Sequence, residues 1–341
     1  MKRLTGRAAA LLTGASLVAT IAACGGGESS SGEPQGGGEA QDVVLTLGHA
    51  GSGNDDLRNV AALALKENVE EATDGRVQIE VHDSGTLGTA EEMVEGVQAG
   101  SLDITIEGLL ILEAYTDLAG VETLPFLYED ADHFNETWSG EIGDEIKSAI
   151  TDSTGYSIAG NIYRGPRHLT TKEPVVSVEE LKGLTVRTPT AKTMLDTWNA
   201  LGARAEGLPF TEVYSALEQG VIDGQENPLE TTYFNSLHEV APNITTTAHV
   251  YGNYHFLMSQ DWLDSLDEET RVVILDAAEK AAEEASEVSA ENERELVGTM
   301  ESEGVTFHEM ENREEWVTAT EPVIESSNET VQEWVERIRE S

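Results

Sequence analysis

The sequence has one cysteine, Cys24, and few basic residues. Because a disulfide needs two cysteines, the chain forms no internal disulfide. Only 20 residues are lysine or arginine, against 64 aspartates and glutamates, and the formal net charge is -44. Binding to nucleic-acid phosphates needs a cationic face, so this composition argues against a nucleic-acid partner.

The sequence also lacks the motifs of common enzyme classes. The eight histidines are scattered, and none forms the His-x-x-x-His pair of a helical metal site. There is no Gly-x-Ser-x-Gly elbow, no Gly-x-Gly-x-x-Gly fingerprint and no Walker loop. We therefore expect no metal, no cofactor and no enzymatic activity. A lipid-anchored hydrolase stays open as an alternative, although no spacing of carboxylates or nucleophiles selects one.

The first residues have the pattern of an export signal. Three basic residues precede an apolar run over residues 8–22, which is too short to span a bilayer comfortably as a helix. The run closes on Ile-Ala-Ala-Cys24, which resembles the bacterial lipobox. We expect residues 1–23 to be a lipoprotein signal peptide and Cys24 to carry a lipid on the outer face of the cell membrane or in the periplasm. The alternative is a buried structural cysteine after an uncleaved segment.

Residues 24–41 are rich in glycine, serine, glutamate and glutamine, a composition typical of a flexible tether. Removal of residues 1–23 takes away three cations and no anion, which changes the formal charge from -44 to -47. High acidity can indicate disorder, but the rest of the chain has regular apolar periodicity. We interpret the acidity as the strongly hydrated surface of an exported protein from a salt-rich habitat.

Strand and helix patterns alternate in the first part of the mature chain. In order, they predict strand 43–48, helix 57–73, strand 77–81, helix 89–98 and strand 102–106. This order is typical of a parallel sheet covered by helices. Since about three hundred residues exceed one typical domain, we expect two lobes.

A later segment repeats this pattern faintly. The run EMVEGVQAGSLDI, which starts at Glu92, aligns without gaps with EVYSALEQGVIDG, which starts at Glu212. Gly100 then matches Gly220, and Asp103 matches Asp223. The match indicates two lobes of similar build that face each other.

The remaining patterns predict how the lobes are connected. They indicate a helix over 191–201, a strand over 250–258 that returns between the lobes, a long helix over 267–303, and a helix over 314–339 interrupted at Pro322. We expect lobe I to comprise residues 42–163 and 253–292, and lobe II residues 164–252 and 293–341.

Two runs indicate a binding site. In LKGLTVRTP, Arg187 lies where a short strand reaches a Thr-Pro break, and in ALEQGVIDGQENPLE a strand stops at Asn227-Pro228. Ligands of open α/β sheets bind beyond the carboxyl ends of the strands, so Arg187 and Asn227 would meet at one mouth. A guanidinium there suits a carboxylate. Taken alone, Arg187 is more often a solvated arginine at a strand end.

These runs carry a family resemblance. The chain resembles the extracytoplasmic solute-binding receptors of TRAP (tripartite ATP-independent periplasmic) transporters, of the dicarboxylate-receptor type. The runs that carry the resemblance are EELKGLTVRTP, LPFTEVYSALEQGVIDGQENPLETTY, RGPRHLTT from Arg164 and LPFLYED from Leu124. The resemblance covers roughly residues 43–320.

The resemblance implies an α/β fold of the two-lobed periplasmic-binding-protein (Venus-flytrap) type, with a long helix spanning both lobes. It implies a monomer that closes on a small organic anion and delivers it to the membrane subunits of a TRAP permease. It also implies that Arg187 pairs with the ligand carboxylate, and that Arg167 and Asn227 contribute. A sensory receptor that presents its ligand to a signalling partner is the alternative.

Three further residues are candidates for ligand binding. Arg164 is an additional cation, Glu107 ends strand 102–106 at the mouth of lobe I, and Tyr251 lies near the returning strand. The respective alternatives are a loop arginine paired to one of the abundant acids, a surface acid and a core aromatic. The candidate ligands are sugar acids, C4-dicarboxylates, and 2-oxo or hydroxy acids. Trp198 and the tyrosines favour a sugar acid.

The charge of the chain makes a prediction about salt. Many like charges on a compact surface repel one another, and salt screens the repulsion, with a Debye length of roughly 10 Å at 0.1 M. We expect the melting temperature of the mature protein to rise as NaCl increases from dilute buffer toward molar concentration. A melting temperature that stays flat or falls over that range would contradict the salt-rich habitat.

Overall fold

The computed structural model describes residues 43–341. The predicted signal peptide (1–23) and the predicted tether (24–41), which includes Cys24, therefore lie outside the described residues, and their assignments stay predictions. None of the helices in the described part of the chain is long and apolar enough to cross a membrane.

The described residues form strands and helices in alternation. The strands are β1 (Val43–Gly48), β2 (Val77–His82), β3 (Ile104–Glu107), β4 (Tyr156–Thr171), β5 (Thr185–Thr188), β6 (Arg204–Gly207), β7 (Gly224–Asn227), β8 (Asn243–Ser259) and β9 (Thr306–His308). The helices are α1 (Leu57–Ala72), α2 (Ala90–Ala99), α3 (Ala131–Ser139), α4 (Glu141–Thr154), α5 (Lys192–Ala200), α6 (Val213–Gln219), α7 (Leu229–Phe234), α8 (Leu237–Val240), α9 (Gln260–Ser265), α10 (Glu268–Ser302), α11 (Arg313–Glu325) and α12 (Glu329–Glu340).

One sheet runs through both lobes, in the order β2-β1-β3-β8-β4-β7-β5-β6, with β9 against β8. Parallel strands β1 to β3 lie at the end that belongs to lobe I, and parallel strands β5 to β7 at the end that belongs to lobe II. The long strands β4 and β8 pair antiparallel between them and continue into both ends. The α/β two-lobed fold is thereby confirmed.

The repeat seen in the sequence has a structural counterpart. Gly100 and Gly220 both end a helix in the left-handed conformation, with φ of 70° and 72°. Glycine adopts this conformation without steric penalty, and it satisfies the last helical carbonyls. Asp103 Oδ2 then accepts the Thr46 amide at 2.7 Å, and Asp223 Oδ2 accepts the Thr185 amide at 2.8 Å. In each lobe, an aspartate just before a strand (β3 or β7) thus accepts a hydrogen bond from a backbone amide of the neighbouring strand (β1 or β5).

The predicted long helix is α10, which has 35 residues. Asp267 caps its first turn through the amide of Thr270. Its alanines face β4, and at Gly160 an added Cβ would lie 2.7 Å from the Cβ of Ala282, so the helix backbone packs directly on the strand. Since α10 also contacts α1 in lobe I and α7 in lobe II, it braces both lobes.

The C-terminal helices differ from the prediction in two respects. Pro322 lies inside α11, and the interruption comes later, between α11 and α12. Loss of one hydrogen bond near the end of a helix is tolerated here because Val323 and Ile324 are buried on the core. The assignment of 293–341 to lobe II also fails for α12, because Trp334 packs into the core of lobe I and donates to Glu145 on α4. The other lobe boundaries stay predictions.

Candidate functional site

Five of the predicted residues line one cavity at the junction of the lobes. Arg164 and Arg167 lie on β4, Arg187 on β5, and Asn227 and Glu107 are the last residues of β7 and β3. The cavity and its mouth contain about 490 Å³ not filled by protein atoms.

The structure places Tyr251 elsewhere. Its ring stacks on Phe134 at 5.9 Å, against the core of lobe I, and Tyr254 lines the cavity instead. Strand residues three positions apart point to opposite faces, so only one of these tyrosines can face the ligand. Trp198 is likewise fully buried in the core of lobe II and offers no face to a ligand.

Sequence reasoning missed Arg58 and Phe210, which both line the cavity. Arg58 could have been noticed, because it occupies the first turn of α1, where the helix dipole disfavours a cation. Its guanidinium lies 4.9 Å from the centre of the Phe210 ring and 5.1 Å from that of Tyr254. Phe210 comes from lobe II, so Arg58 contacts residues on both sides of the cavity.

Arg187 is a buried cation that forms no ion pair with the described part of the chain. Its Nε and Nη2 donate to the Leu208 carbonyl oxygen at 2.9 and 2.6 Å, which fixes the plane of the guanidinium. Within the described residues, no carboxylate oxygen lies within 4.0 Å of it, and it is only 3% exposed. Burial lowers the pKa of Arg187 to about 10, so the group keeps its charge at neutral pH. An anionic ligand would supply the missing counter-ion.

Arg167, by contrast, has a counter-ion of its own. Its Nε and Nη2 donate to the two carboxylate oxygens of Glu226 at 2.5 and 2.7 Å. His249 Nε2 lies 3.2 Å from the same carboxylate. Burial alone would raise the pKa of Glu226, but Arg167 and His249 hold it at about 2. Arg167 therefore faces the cavity as half of an ion pair.

Arg164 and Glu107 face the cavity, and their side chains form no hydrogen bond with residues 43–341. The Arg164 Nε is buried and has no partner in the described residues, and its guanidinium carbon lies 3.7 Å from the centre of the Tyr254 ring. Glu107 Oε1 is also buried without a partner in this part of the chain. Burial raises the pKa of Glu107 to about 7, against the opposing effect of Arg58 and Arg164.

Contacts between the lobes surround the cavity. Asp56 holds Arg58 with two hydrogen bonds of 3.0 Å and accepts from Asn235 Nδ2 of lobe II at 3.1 Å. On another side, Thr190 of lobe II donates to Glu91 of lobe I at 2.6 Å. The two lobes therefore contact each other on two sides of the cavity.

Asn227 completes the set of polar side chains at the cavity wall. Asn227 Nδ2 donates to Gln225 Oε1 at 2.6 Å, which orients the amide at the cavity wall. Among residues 43–341, no cluster of three or more histidine, cysteine, aspartate or glutamate side chains could hold a metal ion.

A family comparison agrees with this geometry. The model of the bacterial extracellular solute-binding proteins, family 7, matches residues 47–330. The chain belongs to this family. The resemblance to TRAP receptors of the dicarboxylate type is thereby confirmed, and the relatives are transport proteins rather than enzymes. Members of this family bind small organic anions outside the cytoplasm and work with a membrane permease.

Individual relatives are similar over most of their length. A solute-binding protein of Roseobacter denitrificans is 32% identical over 299 residues, which cover 88% of this chain and 91% of that protein. The sialic acid-binding periplasmic protein of Vibrio cholerae is 28% identical over 253 residues, covering 74% and 79%.

Solved structures show the same fold. A TRAP periplasmic solute-binding protein of Roseobacter denitrificans with bound L-galactonate has a TM-score of 0.82 at 31% identity, covering 87% of this chain and 99% of that one. A second protein, from Pseudomonas putida and with bound D-glucuronate, has a TM-score of 0.83 at 26% identity, covering 87% and 96%.

Proposed function

We propose that this protein captures a sugar acid in the cavity between its lobes and delivers it to the membrane subunits of a TRAP permease. The observation that carries the proposal is Arg187, a buried guanidinium whose one protein acceptor is a carbonyl oxygen, within the described residues. A planar guanidinium donates two parallel hydrogen bonds to a carboxylate, and its charge persists on burial.

The rest of the cavity suits a hydroxylated carbon chain. Asn227 can donate and accept, and Glu107 can accept from a hydroxyl, while the ring of Tyr254 provides an apolar wall. Arg167 adds a hydrogen-bonding and electrostatic contribution through its pair with Glu226. Relatives of the same fold hold L-galactonate and D-glucuronate, which are acids of this class.

Binding to both lobes would favour the closed form. Arg187 and Asn227 belong to lobe II, whereas Glu107 and Arg58 belong to lobe I. A ligand that touches all four interacts better with the closed lobes than with open ones, so it shifts the population toward closure. The closed form is then the one that the permease recognises.

We further infer that the mature chain is a monomer anchored by a lipid at Cys24. The support is the lipobox-like run before Cys24 and the tether-like composition after it. An anchored receptor stays close to the permease and diffuses in two dimensions along the membrane.

Removal of the Arg187 side chain should abolish most of the affinity for a sugar acid. Loss of one partner from a buried ion pair costs roughly 3–5 kcal/mol, and each ~1.4 kcal/mol is a factor of ten. With L-galactonate and D-glucuronate as probes, we expect Arg187→Ala to weaken the tighter binder by about two to three orders of magnitude in calorimetric titration. Arg187→Lys should recover part of the loss, since an ammonium lacks the planar fork.

The matched control is Arg204→Ala, because Arg204 lies on the next strand of the same lobe with a side chain that is 69% exposed. It should bind like the wild type. If Arg187→Ala also binds like the wild type, the cavity described above is not the ligand site.

The lipid anchor makes a separate prediction. In the native host, or in another bacterium that processes lipoproteins, Cys24→Ser should release the protein from the membrane fraction or leave it unprocessed, because the thiol that carries the lipid is gone. Fractionation and mass spectrometry of the N-terminus measure both outcomes. A Cys24→Ser protein that is processed and still membrane-bound would show that the anchor lies elsewhere.

A further inference from the structure

Helix α5 begins soon after β5, the strand that carries Arg187, and its first turn is held by the other lobe. The N-cap residue of α5 is Ala191, whose methyl side chain cannot accept a hydrogen bond. The backbone amides of a first helical turn need acceptors from outside the helix. Glu113 of lobe I supplies one, since its Oε2 accepts from the Thr193 amide at 2.9 Å. A carboxylate of lobe I thus caps a helix of lobe II.

An apolar contact accompanies this cap. Glu113 belongs to a short 3-10 helix, Leu109–Ala114, and in such a helix side chains three positions apart share a face. Leu110 therefore lies one turn before Glu113 on the same face, and it packs against a buried cluster that contains Ala191 and Met194 at the start of α5. One face of lobe I thus offers both a polar and an apolar contact to the start of α5.

Lobe I also approaches α5 closely at Gly120, in the next 3-10 helix of the chain, Asp117–Thr123. A Cβ atom on Gly120 would lie 2.6 Å from Thr193 Oγ1 of lobe II, and 3.3 Å from Glu113 Oε1 of its own lobe. The first distance is shorter than Cβ contacts in proteins, whereas the second needs only a small adjustment within lobe I. A side chain at position 120 would therefore clash mainly with lobe II.

These contacts join the two segments that follow ligand-facing strands. The helix that carries Glu113 starts just after Glu107, the last residue of β3, and its Leu110 lines the ligand cavity. Helix α5 follows Arg187 in the same way on the side of lobe II. Glu113 and Thr193 line a second, separate cavity. Glu113 is thus placed to fix the separation of Arg187 and Glu107 from outside the ligand cavity.

We propose that Glu113 is a positioning residue for ligand binding, which caps α5 from lobe I when the lobes meet and so holds Arg187 opposite Glu107. The inference rests on the proposed function, because it takes the ligand to bind between these two residues. When the lobes separate, the Thr193 amide turns to water and the cap is lost. The cap therefore raises the affinity for the ligand and slows its release, and it acts through α5 rather than through a contact with the ligand.

The cap needs an acceptor oxygen more than it needs a charge. Burial raises the pKa of Glu113, against the opposing effect of hydrogen bonds from Thr193 and Thr123. The ionised form is therefore less favourable in this position than in water. A glutamine has the same length, keeps an acceptor oxygen for the Thr193 amide and carries no charge. Glu113→Gln should therefore retain the cap, whereas Glu113→Ala removes it.

The test titrates variants of the purified protein calorimetrically with L-galactonate and D-glucuronate, after bound ligand has been removed by unfolding and refolding. We expect Glu113→Ala to weaken the tighter acid by about five- to thirtyfold, the usual effect of a lost helix cap, and Glu113→Gln to bind close to the wild type. Gly120→Ala should also weaken binding, because its methyl group pushes Thr193 away. Without ligand all three should melt like the wild type, since the cap forms only when the lobes meet.

The matched control is Glu180→Ala. Glu180 Oε2 accepts the amides of Val176 and Ser177 at 2.8 and 3.2 Å, so the variant loses contacts between a carboxylate and backbone amides within lobe II alone. It should bind both acids like the wild type. A loss of affinity in Glu113→Ala that Glu180→Ala does not show is then specific to the contact between the lobes.

Three results would overturn the inference and leave the proposed function in place, provided that the wild type binds one of the acids. In the first, Glu113→Ala and Gly120→Ala bind like the wild type. In the second, Glu113→Gln binds as weakly as Glu113→Ala. In the third, Glu113→Ala lowers the melting temperature as much without ligand as with it, which is the mark of a merely structural contact. A wild type that binds neither acid overturns the proposed function together with the inference.

Discussion

The desolvation of cations without counter-ions is the constraint on which the cavity depends. The chain has more than three acidic residues for each basic one, and yet none of its described carboxylates pairs with Arg187 or Arg164. Two acids near the site, Glu226 and Asp56, are bound to Arg167 and Arg58 instead. The fold therefore keeps two positive charges available to an anion, at a cost in stability that the ligand offsets.

Under the proposed function, the same constraint would couple ligand binding to closure of the lobes. Arg187 and Glu107 lie on different lobes. One ligand can therefore contact both side chains only when the lobes meet. Between the lobes, β4 and β8 pair with register shifts near Arg164 and Arg167, and α10 packs along β4 on the other side. Arg164 and Arg167 thus lie on a strand at which the lobes are joined.

Much of the fold could be predicted from local sequence, whereas long-range partners could not. Gly100 and Gly220 mark helix ends because their chemistry is local, and Arg187 and Asn227 lie at strand ends that the pattern reveals. The ion pair of Arg167 with Glu226 joins β4 to β7, and the sequence pattern does not predict that these two strands are neighbours. Tyr254 faces the cavity and Tyr251 does not, which depends on the register of β8. The docking of α12 on lobe I depends on tertiary packing that outweighs chain order.

Equilibrium unfolding of the ligand-free protein tests the central claim most directly, with Arg187→Gln and Arg167→Gln compared with the wild type. Because Arg187 is buried without a counter-ion, its replacement should leave the free energy of unfolding unchanged or raise it. Loss of Arg167 leaves Glu226 buried and unpaired, which should cost roughly 3–5 kcal/mol. If Arg187→Gln destabilises the protein as much as Arg167→Gln does, Arg187 is satisfied within the protein, and the account of an unpaired cation held for the ligand is wrong.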